Sequence, residues 1–344
     1  MKRSEFIKVS LLGTAGLVSS ISCKNEIKSK PLTLSKRDQM MKWLEGDIPD
    51  GYTPAAFFIH FDGDHKLGIA AAEEHIKYFR ATNMDFAKIQ YEQEMPQVDF
   101  IKKPGDWAKW SPPGIEFYQP QLEAVEGILK ELKKEALVIM TLYSPFMSAG
   151  HAATREVLLS HMEENPDAVK PGLDRMVESQ MLFVNECIRL GVDGFYMSTQ
   201  GSETNQFSDP AIFTKYIKPT DLVAMKEAHS RCPFNILHVC DYNAPYANYD
   251  AVLDYPGQVV NCNPKTTSIQ YTWSQIQNMF GRPVMGGLDR HGSIADKDSE
   301  KILTELNLVL EQAPKQFILG ADCTLPGDTD WKRIRSIIDK AHGA

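Results

Sequence analysis

Past residue 50 the chain alternates between two patterns. Short runs that are apolar at nearly every position give way to longer stretches with apolar residues three and four apart. The first pattern predicts strands buried on both faces and the second predicts amphipathic helices. Eight apolar runs stand out, over 55–61, 86–91, 136–143, 192–197, 235–240, 259–262, 283–288 and 317–321. Helical spacing follows over 68–81, 118–134, 154–190 (split at Pro166 and Pro171), 210–230, 246–253, 268–280, 298–312 and 330–342. Met95 to Pro113, rich in Pro, Trp and Lys, has no period and predicts a long loop. Eight strand–helix units over about 300 residues predict a single-domain α/β protein, a (β/α)8 TIM barrel over 50–344, in preference to an open doubly wound sheet. No Gly-x-Gly-x-x-Gly follows the first run, so the main marker of a dinucleotide-binding sheet is missing.

Barrel active sites lie at the C-terminal ends of the strands, which makes the residues closing each run the candidates. The fifth run ends in His238-Val239-Cys240, and residues i and i+2 of a strand share a face. Cys323 closes the eighth run. Two thiolates and an imidazole form a soft N/S set that suits one zinc ion with its fourth position open. Free cysteine is also among the most buried residue types, so the three read equally as core until the barrel sends both runs to one mouth. Glu92, after the second run, and Asp289, after the seventh, are the acid–base candidates. Glu92 has a plainer reading as a solvated carboxylate or a partner of Lys88. His60, Asp62 and Ser144 close earlier runs; Ser198, Gln200 and Asn263 close later ones, and these six are expected to contact substrate.

The N-terminus reads differently. Lys2, Arg3 and Lys8 precede a modest apolar run, Val9 to Ile21, that ends at Ser22-Cys23. That layout predicts an export signal over 1–23 with a lipobox-like cysteine, and the run is too short to span a bilayer. Residues 24–49 are expected to be a polar tether. The protein is then periplasmic or held at the membrane by a lipid anchor only; a frayed N-terminus on a cytoplasmic protein is the competing reading. Five cysteines remain after Cys23, an odd number at irregular spacing, which is not a disulfide framework. Composition is ordinary for a globular protein, 43% hydrophobic and 24% charged over 344 residues. The net charge of −8 with no basic block makes a small molecule, and not a nucleic acid, the expected partner.

Five segments, in order, resemble the uroporphyrinogen decarboxylase superfamily. They are Asp85 to Glu92 (DFAKIQYE), Ser144 to Met147 (SPFM), Gly191 to Ser198 (GVDGFYMS), Val284 to Asp289 (VMGGLD) and Leu319 to Pro326 (LGADCTLP). The resemblance covers about residues 50–342. It implies a (β/α)8 barrel, and the superfamily also holds zinc-dependent, corrinoid-linked methyltransferases. Decarboxylases of this group carry an arginine pair after the first strand, where this chain has Phe61-Asp62-Gly63-Asp64-His65; they carry Gly-His-Gly after the eighth, where it has Gly320-Ala321-Asp322. The methyltransferase branch has His-x-Cys and a lone later cysteine, matched here by His238-Val239-Cys240 and Cys323. A glycine usually follows that His-x-Cys, and Asp241 replaces it. Glu92 aligns with a catalytic aspartate of the decarboxylases and Ser198 with a substrate-contacting serine. The resemblance therefore implies zinc-dependent methyl transfer to a thiol acceptor, with a corrinoid-bound methyl donor. Decarboxylation of a tetrapyrrole or smaller acid is the alternative, and a surface-anchored binding protein without turnover is another. Export sits awkwardly with a corrinoid donor, which is expected inside the cell.

Overall fold

The computed structural model describes residues 34–295 and 299–343. The expected export signal, with Cys23, lies outside them. The second to eighth apolar runs form seven strands: β1 (Phe86–Ile89), β2 (Leu137–Leu142), β3 (Gly194–Thr199), β4 (Ile236–Val239), β5 (Val259–Cys262), β6 (Val284–Leu288) and β7 (Phe317–Ala321). They pair in sequence order as one curled parallel sheet, and every pairing is parallel. All strand positions are buried except Gly287, which is partly so. Helices cover one face and side chains fill the other, so neither face selects polar residues. The result is an α/β fold of TIM-barrel type.

The first run, 55–61, departs from expectation. It is buried and extended but forms two isolated parallel bridges instead of a strand, Ala55 to Leu319 and Ile59 to Leu325. Between the bridges it advances four residues while its partner advances six. The surplus falls around Asp322 and Cys323, where the chain leaves the ladder. Ladder bonding is therefore interrupted at the place where Cys323 turns inward. Gly320 lets the run lie close, since a Cβ there would stand 3.0 Å from the Ala56 carbonyl oxygen and 2.6 Å from the Met285 side chain.

Ten α-helices lie among the described residues: α1 (Lys36–Leu44), α2 (Gly68–Thr82), α3 (Gln119–Leu132), α4 (Pro145–Ala153), α5 (Arg155–Glu164), α6 (Pro166–Leu190), α7 (Lys218–Arg231), α8 (Trp273–Phe280), α9 (Ser299–Gln312) and α10 (Trp331–Ala341). The expected break at Pro171 does not occur; α6 begins at Pro166 and carries Pro171 inside it. The helix expected over 246–253 is a single 3-10 turn, Asp250–Val252. Of the tether expected over 24–49, residues 24–33 lie outside the described residues, and within 34–49 the chain forms α1, which packs on the body. Ser35 caps it, Met40 and Trp43 are buried, and the Arg37 guanidinium forks onto Asp193 at 2.6 and 2.8 Å. Lys36 donates to the carbonyl oxygens of Asn83 and Met84. These partners precede β1 and β3, so α1 sits at the N-terminal ends of the strands and leaves the C-terminal ends open.

Candidate active site and metal centre

The strands open at their C-terminal ends into a cavity of about 640 Å³, within the range of small-molecule sites. Phe58 and Tyr196 pack edge to face at its base, with ring centroids 5.5 Å apart. His238, Cys240 and Cys323 line one side. Their ligating atoms all lie within 4.8 Å of one another, and all three residues are buried. The Cys323 sulfur is 3.4 Å from His238 Nε2.

Strand register explains how the imidazole is aimed. His238 of β4 stands beside Ser198 of β3 and Asn261 of β5. Asn261 donates both amide hydrogens, at 3.0 Å each, to the carbonyl oxygens of Met285 and Ala321. Its Oδ1 is thereby fixed as an acceptor, 2.6 Å from His238 Nδ1. Nδ1 must carry the proton and donate it, which leaves the Nε2 lone pair facing the cysteines. The Tyr196 hydroxyl also donates to Oδ1, at 2.5 Å, and its ring stacks on the imidazole at 4.7 Å. A soft divalent ion needs this arrangement from a histidine ligand, so the donor set can hold such an ion.

The two thiols are unequal. A hydrogen bond from Cys240 holds Cys323 well below the usual thiol range against the opposing effect of burial, and Arg290 adds to the lowering. The same bond, together with burial, pushes Cys240 well above that range. In that bond Cys240 is the donor and Cys323 the acceptor, the direction that favours the thiolate at Cys323. Gln200 Nε2 lies 3.2 Å from the Cys240 sulfur.

Behind the cysteines, Arg290 joins the segments that carry them. Its Nη1 donates to Asp241 at 2.7 Å and to Asp322 at 2.6 Å, and its backbone N–H donates to Asp322 at 2.7 Å. Each aspartate is the immediate neighbour of a candidate ligand. Burial pushes the Asp322 carboxyl up to about 6 even with Arg290 beside it. Asn263 completes the cluster, donating to Asp241 at 2.8 Å and Asp322 at 3.3 Å.

The other wall rises from β1. Glu92 accepts from His60 Nδ1 at 2.9 Å, with the His60 side chain 46% exposed and that of Glu92 9%. Lys88 and Gln90 lie below them on the same strand face, i and i+2. Arg155 crosses from α5 to Gln200 and Glu203, at 3.0 Å each, and lies over the Phe146 ring.

The expected site residues divide accordingly. His60, Asp62, Glu92, Ser198, Gln200, His238, Cys240 and Cys323 line the cavity. Three do not. Asp289 is exposed and turns to accept the His291 N–H at 2.8 Å; Ser144 is buried as the cap of α4, accepting from Met147 N–H at 3.2 Å; Asn263 braces the two aspartates from outside. Each closes an apolar run, yet a local hydrogen bond turns its side chain away. Asn261, Gln90 and Tyr196 sit inside runs and are not among the expected site residues, and Lys88 is expected only as a partner of Glu92; a polar residue in register with His238 was the available signal.

The family model for uroporphyrinogen decarboxylase (URO-D) matches residues 82–344. No curated protein matches the sequence. Among solved structures, a methyltransferase from Methanosarcina mazei is similar over 90% of this chain and 98% of its own, with a TM-score of 0.71 and 13% identity. A putative vitamin-B12 independent methionine synthase from Listeria monocytogenes is similar over 85% of this chain and 98% of its own, with a TM-score of 0.51 and 10% identity. At such identities the likeness is one of fold.

Proposed function

The chain belongs to the uroporphyrinogen decarboxylase family, and within it we propose a zinc-dependent enzyme that transfers a methyl group to a thiol. The observation that carries this reading is the convergence of His238, Cys240 and Cys323, with Asn261 fixing the imidazole so that Nε2 faces the sulfurs. Those three residues would hold the ion. When bound, it supplies a Lewis acid that favours the thiolate form of a thiol at neutral pH. The chain's own groups do the rest. Glu92, held by His60, takes the proton released from the thiol, and half-exposed His60 connects that proton to solvent. Gln200 and Asn261 hold Cys240 and His238 in place, and Ser198 and Arg155 line the pocket beside them. The thiolate attacks the methyl carbon of an activated donor such as a methylcobamide; a sulfur–carbon bond forms, and the electron pair of the broken bond leaves with the donor. Export by the N-terminal 23 residues, with a lipid on Cys23, is part of the proposal and would favour a free small-molecule donor over a corrinoid protein.

The test is metal analysis of protein purified without added metal, followed by incubation with methylcobalamin and 2-mercaptoethanol. Stoichiometric zinc and a methyl thioether are expected. Zinc-free protein that releases carbon dioxide from uroporphyrinogen would instead establish the decarboxylase alternative.

A further inference from the structure

Lys88 is an unusual occupant of the cavity wall. It is 6% exposed, and its ammonium lies over the rings of Phe58 and Tyr196, 4.6 and 5.0 Å from their centroids. Among the described residues its hydrogen-bond partner is Gln90 Oε1, and no carboxylate stands within ion-pair distance. A buried ammonium is costly unless paired, and aromatic faces compensate only part of that cost. The electrostatic neighbours that favour its charge are Cys323 first and Glu92 second, so it faces the space between the cysteine pair and the acid.

Its surroundings are built to keep it there. Because Lys88 can only donate, Gln90 must present Oε1 to it and turn its amide hydrogens toward His60 Nε2, 3.4 Å away. That nitrogen then accepts, and His60 Nδ1 donates to Glu92. The four side chains form one directed row, from a buried cation near the cysteines to a carboxylate at the mouth. The strand beneath is clamped: Gln121 accepts from the Glu92 N–H at 3.0 Å and donates to the Gln90 carbonyl at 3.3 Å, while His75 accepts from the Gln90 N–H at 3.0 Å.

We propose that Lys88 is an anion-binding residue that pairs with the thiolate of the acceptor, so the pocket selects the ionised sulfur over the neutral thiol. This rests on the thiol-acceptor reading above and adds the group that recognises the acceptor's charge. The thiolate occupies the space between His238, Cys240 and Cys323 on one side and the Lys88 ammonium on the other. Lys88 gives up no proton; the proton lost by the thiol goes to Glu92. With the anion in place, the ammonium gains the partner that the protein itself withholds.

The test uses zinc-loaded full chain and 2-mercaptoethanol as the probe, with calorimetric titration of wild type, Lys88→Met and Lys88→Arg. Zinc content and thermal unfolding are measured on each variant. Wild type is expected to bind the thiol with proton release, read from the dependence of the heat on buffer. Lys88→Met should keep its zinc and its fold, bind on the order of tenfold more weakly or worse, and release less than one proton per thiol, as loss of a charged contact implies. Lys88→Arg should recover part of the affinity. A Lys88→Met protein that holds zinc and binds within about twofold of wild type overturns the assignment of Lys88 while leaving the thiol reading standing, since a charged contact contributes more than that. Wild type that retains no zinc and binds no thiol overturns both.

Discussion

Two buried cations face the same cavity and are treated in opposite ways. Arg290 has a pair of carboxylates, Asp241 and Asp322, within 2.7 Å, and each carboxylate adjoins a candidate metal ligand. Lys88 has an amide and two aromatic rings. The Arg290 side has its opposite charge within the chain, so it holds a geometry. The Lys88 side is left without an opposite charge, so it has capacity for one that arrives from outside. Buried charges normally come paired, and the unpaired one marks where a ligand belongs.

The largest effect should come from the ligands themselves. Cys240→Ser or Cys323→Ser is expected to abolish tight zinc binding, measured by competition with a chromogenic chelator, while far-ultraviolet circular dichroism stays that of the folded protein. A site on a large core contributes little to holding that core together. Lys88→Met should retain zinc in the same assay. If the lysine variant also lost the metal, the two walls would not be separable in function.

Arg290→Met comes next. It leaves buried Asp322 and part-buried Asp241 without their cation, and breaking a buried pair costs about 3–5 kcal/mol. Denaturant unfolding of the metal-free protein should register that loss, and zinc affinity should fall with it because both cysteine segments are released. Asn261→Ala reaches the metal site through the imidazole. Losing the group that orients a ligating histidine typically costs about 10–100-fold in metal affinity. The same chelator competition should place it between wild type and the cysteine variants. An Asn261→Ala protein with unchanged affinity would show that stacking on Tyr196 alone orients His238.

How much of this was legible in sequence depends on where each residue sits. The seven strands were readable because burial on both faces writes an unbroken apolar run. The 55–61 run is equally apolar, yet its ladder fails because the chain opposite carries two surplus residues around Cys323, a long-range mismatch that no local pattern records. His238, Cys240 and Cys323 were found because they end their runs. Asn261 was missed because it lies within Val259–Cys262, and Asn263, which does end that run, points at the aspartates instead. The α1 segment offers just two buried positions, Met40 and Trp43, and its anchor, Asp193, lies 156 residues away from Arg37. Hydrophobic spacing cannot reveal a helix with so few buried positions and so distant an anchor.

The thiol pair supplies a finer test. With Cys323 held as thiolate by Cys240 in the metal-free state, that pair has one proton to lose. Zinc binding near neutral pH should therefore release about one proton from the site, where two ordinary thiols would release about two. Calorimetry in buffers of different ionisation enthalpy counts them. Two protons would mean that both cysteines are protonated in the free protein, and that Cys240 and Arg290 do not hold Cys323 ionised.

The smallest effect separates the two cations by stability alone. Burial lowers the Lys88 ammonium from its ordinary value of 10.5 to about 7, with Cys323 and Glu92 opposing that shift. A base whose folded value lies below its unfolded one is penalised in the folded state while it is protonated. Below pH 7 both states carry the proton and the penalty is complete. Between about 7 and 10.5 the unfolded chain binds more protons than the folded one, so the stability of wild type rises with pH across that window. Lys88→Met has no such penalty. It should be as stable as wild type or more so, with its advantage greatest at and below pH 7 and shrinking as pH climbs toward 10.5, the reverse of the loss expected for Arg290→Met. Thermal unfolding of both proteins, metal-free, at pH 6.5 and pH 9 measures the difference. A methionine variant that is less stable than wild type at pH 6.5 would show that Gln90 and the two rings satisfy the ammonium, and Lys88 would then belong with Arg290 among the groups that hold the pocket together.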